Sequence, residues 1–258
     1  ALLPAGTRQH ETVSGEVARW SAAVPAGAEK REAPGWVKRL GPVAVVAFGA
    51  WKLIGFAKVA SVLSLFAAFA LYWQLWGWKF AAGFLGSIYL HELGHVVALR
   101  RAGIPASAPM FIPGVGAFVR MRRAPPDART DAQVGLAGPV VGAAVAVALA
   151  LLARLTGSAL LLAVAHAGAV VNLFNLTPIW SLDGARGFNA LTQAQRFGIA
   201  VIAGAALYAT HEGILWLVLV VAALRMLSPR AAERADHGVF AAFAGLVVVL
   251  SMVAAYAS

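Results

Sequence analysis

The sequence predicts an all-α multi-pass membrane protein of about six transmembrane helices, with a short re-entrant β-hairpin-like segment near 109–120. Three observations carry that prediction. The 258-residue chain is 60% hydrophobic and only 12% charged, with a mean hydropathy of +0.76. A soluble domain is about a quarter charged, because a polar shell has to cover its core. Several stretches approach the roughly 20 apolar residues that cross a bilayer as a helix, and the basic residues collect in alternate connections between them.

Taken in chain order, residues 1–35 are rich in Ala, Gly, Pro, Glu and Arg without apolar periodicity, and read as a flexible soluble tail. No basic n-region followed by an apolar h-region occurs there. The membrane domain is expected over 36–258. Within it, Pro42–Phe56 is apolar but flanked or cut by Lys52 and Lys58, so it is expected to lie on the membrane surface with its lysines snorkelling to the headgroups. The first span, Val59–Trp78, gathers tryptophans at one end as an interfacial belt does. Further apolar segments follow at Phe80–Leu99, Val134–Ala153, Ala159–Leu176, Phe197–Tyr208, Ile214–Leu227 and Val239–Tyr256. His211, Glu212 and Gly213 interrupt the run between the fifth and sixth of these seven, leaving a tight helical hairpin or one broken helix.

Net charge is +10, from 21 Lys and Arg against 11 Asp and Glu. Its distribution favours topology over nucleic-acid binding. Arg100 and Arg101, then Arg120, Arg122, Arg123 and Arg129, then Arg225, Arg230 and Arg234 occupy connections that the positive-inside rule assigns to the cytoplasm. The turns near Thr156–Ser158 and Thr210–Gly213 carry little positive charge, as consecutive crossings require. Contact of the arginines with lipid headgroups agrees with the same topology.

Cysteine is absent, which removes disulfides, thiol nucleophiles and thiolate ligands and leaves any metal to His and carboxylate. The chemistry is concentrated in His91-Glu92-Leu93-Gly94-His95, an HExxH pattern. On a helix, residues four apart share a face, so both imidazoles can hold one zinc with Glu92 beside them as a base. Two histidines and a glutamate are costly inside an apolar helix and mark a functional interior. A hydrolytic zinc site uses three protein ligands. The candidates for the third are His166, Asp183 and His211. Asp183 ends a span that returns to the side His91 and His95 approach, His211 falls on the opposite side, and His166 near mid-span reads as a packing or hydrogen-bonding histidine. An aspartate before glycine also has an ordinary role as a helix cap.

HELGH in a transmembrane helix, the downstream Asn175-x-x-Pro178 with Leu182-Asp183-Gly184, and Ala137-Gly138-Pro139 between them resemble the site-2 proteases, intramembrane zinc metalloproteases of which the likeness suggests a compact bacterial type. The likeness runs from about Trp36 to Arg186 and takes in Phe111–Phe118, similar to a membrane-dipping hairpin. It implies His91, His95 and Asp183 as ligands of one zinc, Glu92 as catalytic acid/base, and Asn175 as a substrate-positioning or oxyanion-side group. Ser181 and Ala185 depart from the family pattern, where many members have proline and glycine; neither position is a ligand. For Asn172, one turn before Asn175, a hydrogen bond between packed helices is at least as good a reading as a catalytic one. The connection 100–133 is too short for a PDZ-like domain.

The implied activity is hydrolysis of peptide bonds within or near the transmembrane segments of protein substrates, in a bacterial cell membrane with the site toward the cytoplasm. The expected partners are a transmembrane protein and the bilayer, with no nucleic acid. Pro109–Arg120 is expected to edge the substrate cleft, the alternative being a cytoplasmic loop resting on lipid. A metal transporter or scaffold using His91, His95 and Asp183 explains the ligands but leaves Glu92 and Asn175 without a task, and a catalytically inactive relative is a third reading.

Overall fold

The structure, a computed structural model, describes residues 42–258 apart from Val115, Arg122 and 228–230, with side chains from Val59 onward. The tail expected over 1–35 lies outside the described residues. The packing and the site described below belong to the compact unit Ile54–Ser258.

The described residues are mostly helical. Helix α1 spans Pro42–Trp76, so the stretch expected to form a separate surface segment belongs to a helix. Its partner α2 runs from Trp78 to Arg101. The break between them is Gly77, at φ +83°, a conformation L side chains rarely adopt and glycine adopts at little cost. The run that is apolar and aromatic on both sides of Gly77 is therefore two helices, as expected, with the boundary at Gly77 instead of after Trp78. Tyr72, Trp76, Phe80 and Phe84 interlock across the turn, with Tyr72 edge-on to Phe84 at 5.4 Å between centroids.

After α2 a two-stranded antiparallel hairpin forms from β1 (Met110–Ile112) and β2 (Gly116–Phe118), with Phe111 opposite Ala117. This is the hairpin expected near 109–120. Phe111 is buried against α1 and α2, where its amide donates to Ser64 Oγ at 3.0 Å, and Ser61 Oγ donates to the Pro109 carbonyl.

Helix α3 (Ala128–Thr156) begins at an Asp127 cap whose carboxylate accepts from the Thr130 amide at 2.7 Å, and ends at Gly157 in the left-handed region. Ser158 then caps α4 (Ala159–Asn175). The short α5 (Asp183–Asn189) follows, then α6 (Gln193–Thr210), α7 (Ile214–Met226) and α8 (His237–Ala257). His211, at φ +56°, closes α6, so the interrupted run is a helical hairpin.

Among the described residues, three helical segments are long and apolar enough to cross a membrane: Val59–Trp76, Ala128–Thr156 and His237–Ala257. Helices α4 and α7 are shorter but apolar. The central packing of α3, α4, α6 and α8 is built on alanines such as Ala143, Ala146, Ala165, Ala169, Ala203 and Ala254. Small side chains let helices approach closely where lipid offers no hydrophobic drive between them. That close approach brings α2, α3 and α4 together around the site.

Candidate metal centre

His91 and His95 lie one turn apart on buried positions of α2, and both rings face the first residue of α5, Asp183. Three donor atoms converge. His91 Nε2 and Asp183 Oδ2 are 3.1 Å apart, His95 Nε2 and Asp183 Oδ2 are 3.3 Å apart, and the two Nε2 atoms are 3.1 Å apart. Zinc binds nitrogen and oxygen at about 2.0–2.2 Å in tetrahedral sites, which places neighbouring ligand atoms about 3.3 Å from one another. The three separations fit one face of such a tetrahedron. Among the described residues these are the grouped His and carboxylate side chains that could hold a metal ion.

The hydrogen bonds behind the rings fix the tautomers. Asn172 Nδ2 donates to the Gly168 carbonyl at 2.8 Å, so its Oδ1 faces His91, and His91 Nδ1 donates to that oxygen at 2.8 Å. His95 Nδ1 donates to the Val134 carbonyl at 2.8 Å. With both Nδ1 atoms carrying hydrogen, each neutral ring presents a bare Nε2 lone pair. Two lone pairs and a carboxylate oxygen within 3.3 Å repel one another unless a cation lies among them. The donor set fits zinc, which takes imidazole nitrogen and carboxylate oxygen together.

Helix α3 shapes the remaining wall with glycines. A Cβ on Gly138 would lie 2.7 Å from His91 Nε2 and nearer still to His95 Nε2. One on Gly142 would lie 2.5 Å from Asn172 Nδ2, and one on Gly135 2.7 Å from Arg186 Cβ. Gly94 answers from α2, where a Cβ would meet the Ala137 carbonyl at 2.5 Å. The α2–α3 seam is thus backbone against backbone, and no larger residue on α3 leaves room for the donor atoms.

Asp183 is not a cap. Leu182 holds the cap position of α5 and no side chain bonds the helix end there, so the carboxylate is directed to the histidines. Gly184 lets this loop fold back on α4, since a Cβ would overlap the Leu176 backbone. Arg186 ties α5 to α3, donating from Nε and Nη2 to Asp131 Oδ1 at 2.8 and 2.7 Å. Ala185 is buried, and Ser181 lines the cavity beside Asp183.

Glu92 is buried beside the histidines, and its Oε2 has no hydrogen-bond partner among the described residues. Such an orphaned carboxylate oxygen is costly unless a guest satisfies it. It borders a cavity of about 1020 Å³ that His91, His95, Asp183, Asn175 and the hairpin residues Ala117 and Phe118 also line. Asn175 is half-buried there. His166 instead bonds the Ala254 carbonyl at 3.1 Å, as a packing histidine, and His211 is exposed at the end of α6. Sequence reasoning overlooked the Val134 carbonyl and most of the glycines; the bond between packed helices that it weighed for Asn172 beside a catalytic role is made, and its partner is a metal-site histidine. The spacing Gly135, Gly138, Gly142 was the visible signal.

Comparison with known proteins places these features in context. Residues 79–158 match the family model of Peptidase family M50. A probable chloroplastic zinc metalloprotease of Arabidopsis thaliana, EGY1, is 38% identical over 74 residues, which is 27% of this chain and 14% of that protein. A zinc metalloprotease of Methanocaldococcus jannaschii is 26% identical over 110 residues, 41% of this chain and 32% of that one. The chain thus spans less than a third of the length of each of these relatives, and no solved structure matches it significantly. The matched stretch holds His91, Glu92, His95 and the glycine face of α3, so residues 79–158 are similar to Peptidase family M50 and, over part of their length, to these two zinc metalloproteases.

Proposed function

We propose that this chain is an intramembrane zinc metalloendopeptidase that hydrolyses peptide bonds within or near the transmembrane segments of protein substrates. The observation that carries the reading is the convergence of His91 Nε2, His95 Nε2 and Asp183 Oδ2 within 3.3 Å beside the partnerless Glu92 Oε2. A transporter or scaffold needs the first three groups and has no use for the fourth.

His91, His95 and Asp183 would hold a zinc ion, which when bound would supply Lewis-acid activation of the scissile carbonyl and of a water molecule at neutral pH. Glu92 takes a proton from the attacking water at Oε2 and returns it to the leaving amine. The Asn175 amide donates to the carbonyl oxygen as negative charge develops on it. Asn172 and the Val134 carbonyl keep the imidazoles turned so that Nε2, not Nδ1, faces the reaction. A helical substrate hides its carbonyls in i to i−4 bonds and must unwind before attack, which the lining hairpin assists by offering extended backbone beside the cavity.

In the bilayer, we read α1, α2, α3, α4 and α8 as single spans and α6–α7 as a helical hairpin whose two legs begin and end on the same side. The arginine-bearing connections face the cytoplasm of a bacterial cell, and the site opens toward that side. Substrate and lipid are the partners, and nucleic acid is not.

Glu92→Gln is the test. Cleavage of a model transmembrane substrate should fall by at least about a hundredfold, while the purified protein keeps one zinc per chain. Unchanged cleavage would sink the hydrolytic assignment of Glu92, and stoichiometric zinc with no cleavage by the unaltered chain would favour transport or scaffolding.

A further inference from the structure

A second cavity, of about 970 Å³, lies on the face of the α2–α3 seam away from the donor atoms and is closed on one side by α8. Its walls are apolar: Leu90 and Val97 from α2, Val140 and Val141 from α3, Ala242 from α8. One end is polar and carries Arg101, Arg129, Asp236, Thr130 and Gln133. Leu90, Val97 and Val140 are each more than a third exposed, so the groove opens outward from the bundle.

We infer that this groove binds one anionic glycerophospholipid, with its phosphate at Arg101 and Arg129 and its acyl chains along Leu90, Val97 and Val140. The dimensions select a lipid over a helix. From Leu90 to Arg101 the groove follows eleven residues of α2, about 16 Å at 1.5 Å each, and one leaflet of a hydrocarbon core about 30 Å thick is about 15 Å. A crossing helix would need the full thickness and a channel 10–12 Å wide. At about 30 Å³ for a group the size of a water molecule, the cavity holds on the order of thirty such groups, the bulk of two acyl chains.

The charge at the polar end selects the headgroup. Arg101 has no ion pair among the described residues, and Arg100 is exposed beside it. Arg129 Nε pairs with Asp236 Oδ2 at 3.1 Å, while Asp236 Oδ1 accepts from the Val239 amide, so that carboxylate is occupied by the start of α8. Asp127, the other nearby acid, caps α3 through Thr130. Three arginines against two acids already engaged leave the end net positive. Each arginine near an anionic surface gives roughly a fivefold gain, so Arg101 and Arg129 together give an expected preference of about twentyfold for an anionic over a zwitterionic headgroup.

The test is native mass spectrometry of the whole detergent-purified chain titrated with phosphatidylglycerol or phosphatidylcholine. The unaltered chain is expected to retain one phosphatidylglycerol at concentrations about twentyfold below those needed for phosphatidylcholine. Arg101→Gln with Arg129→Gln should erase that preference. Val97→Trp, which fills the groove and leaves both arginines in place, should weaken both lipids at least tenfold. If the double variant does not fold, Arg101→Gln alone keeps the Arg129–Asp236 pair and should show a fivefold loss. Equal retention of the two lipids, retention unaffected by either kind of variant, or displacement of the lipid one-for-one by a transmembrane peptide would each overturn the assignment. Glycerol phosphate binding as tightly as the full lipid would overturn it as well, because the apolar groove would then contribute nothing.

Discussion

Gly138→Ala is the most informative single change in the bundle, because helix propensity and site geometry predict opposite consequences for it. In a helix interior alanine is favoured over glycine by about 1 kcal/mol, so the substitution should leave α3 intact or firmer. Its methyl, however, would lie 2.7 Å from His91 Nε2 and closer to His95 Nε2, where ordinary contact begins at 3.4 Å. At least one imidazole nitrogen must therefore retreat by about 0.7 Å or more. The rings have little freedom to do so, since each is held at Nδ1 by a 2.8 Å hydrogen bond to Asn172 or to the Val134 carbonyl. Misplacement by about 1 Å costs on the order of a hundredfold in rate. The expected result is a protein with unchanged or raised melting temperature in detergent, at least tenfold weaker zinc retention against a chelator, and about a hundredfold lower kcat/KM on a transmembrane substrate. Zinc content by elemental analysis, cleavage and thermal unfolding on one preparation decide it. A variant with one zinc per chain and the cleavage rate of the unaltered protein would refute the placement of the donor atoms against α3.

Three further outcomes follow from the same contacts. Asn172→Leu removes the acceptor that holds the His91 Nδ1 hydrogen, and should lower zinc affinity by about 10–100-fold in a chelator competition while α4 stays folded. Arg186→Met breaks the pair with the part-exposed Asp131 across α3 and α5; after discounting for solvent screening a loss of about 1 kcal/mol is expected, read as a melting temperature lower by about 2–4 °C with zinc still bound. For Asp127, the hydrogen bond from the Thr130 amide holds the carboxyl below its ordinary pKa, so its cap is present at neutral pH and lost as pH falls through the lowered value. Asp127→Ala should therefore unfold earlier than the unaltered chain at pH 7, and the gap should close below the usual carboxylate range; a gap independent of pH would rule out the charge as the source of the cap.

How far the sequence disclosed this arrangement depended on whether the information was periodic or local. HELGH was legible because i, i+4 spacing on a helix needs no knowledge of neighbours, and the hairpin at 110–118 because Pro113, Gly114 and Gly116 interrupt an apolar run. Asp183 was legible only through the surrounding Leu182-Asp183-Gly184 pattern. Helix α5 was not expected at all, since a seven-residue segment with two glycines has poor helix propensity and forms only because α3 and α8 pack against it. The division between the first two helices was legible near residue 79, but its exact place at Gly77 was not, because hydropathy does not register a positive φ. The Val134 carbonyl could not be read from residue type in principle, since every residue carries one.

The three glycines of α3 also explain why the metal set is spread over distant segments without loss of register. Gly135 meets Arg186 of the short helix that begins at Asp183, Gly138 meets both histidines of α2, and Gly142 meets the Asn172 amide of α4. One helix thus touches each element that supplies a donor atom or its support. At 1.5 Å of rise per residue, the three contacts span about 10 Å of the α3 axis. A loop-built site would transmit the motion of each loop to the metal, whereas here α2, α4 and α5 are each set by a contact to the same rigid element. The cost is that α3 tolerates no side chain at these positions, and Pro139, which has no amide hydrogen to give to the helix, sits beside the most crowded of them. The Ala137-Gly138-Pro139 segment, which read only as an accessory to the HELGH motif, is on this account the surface against which both histidines are positioned.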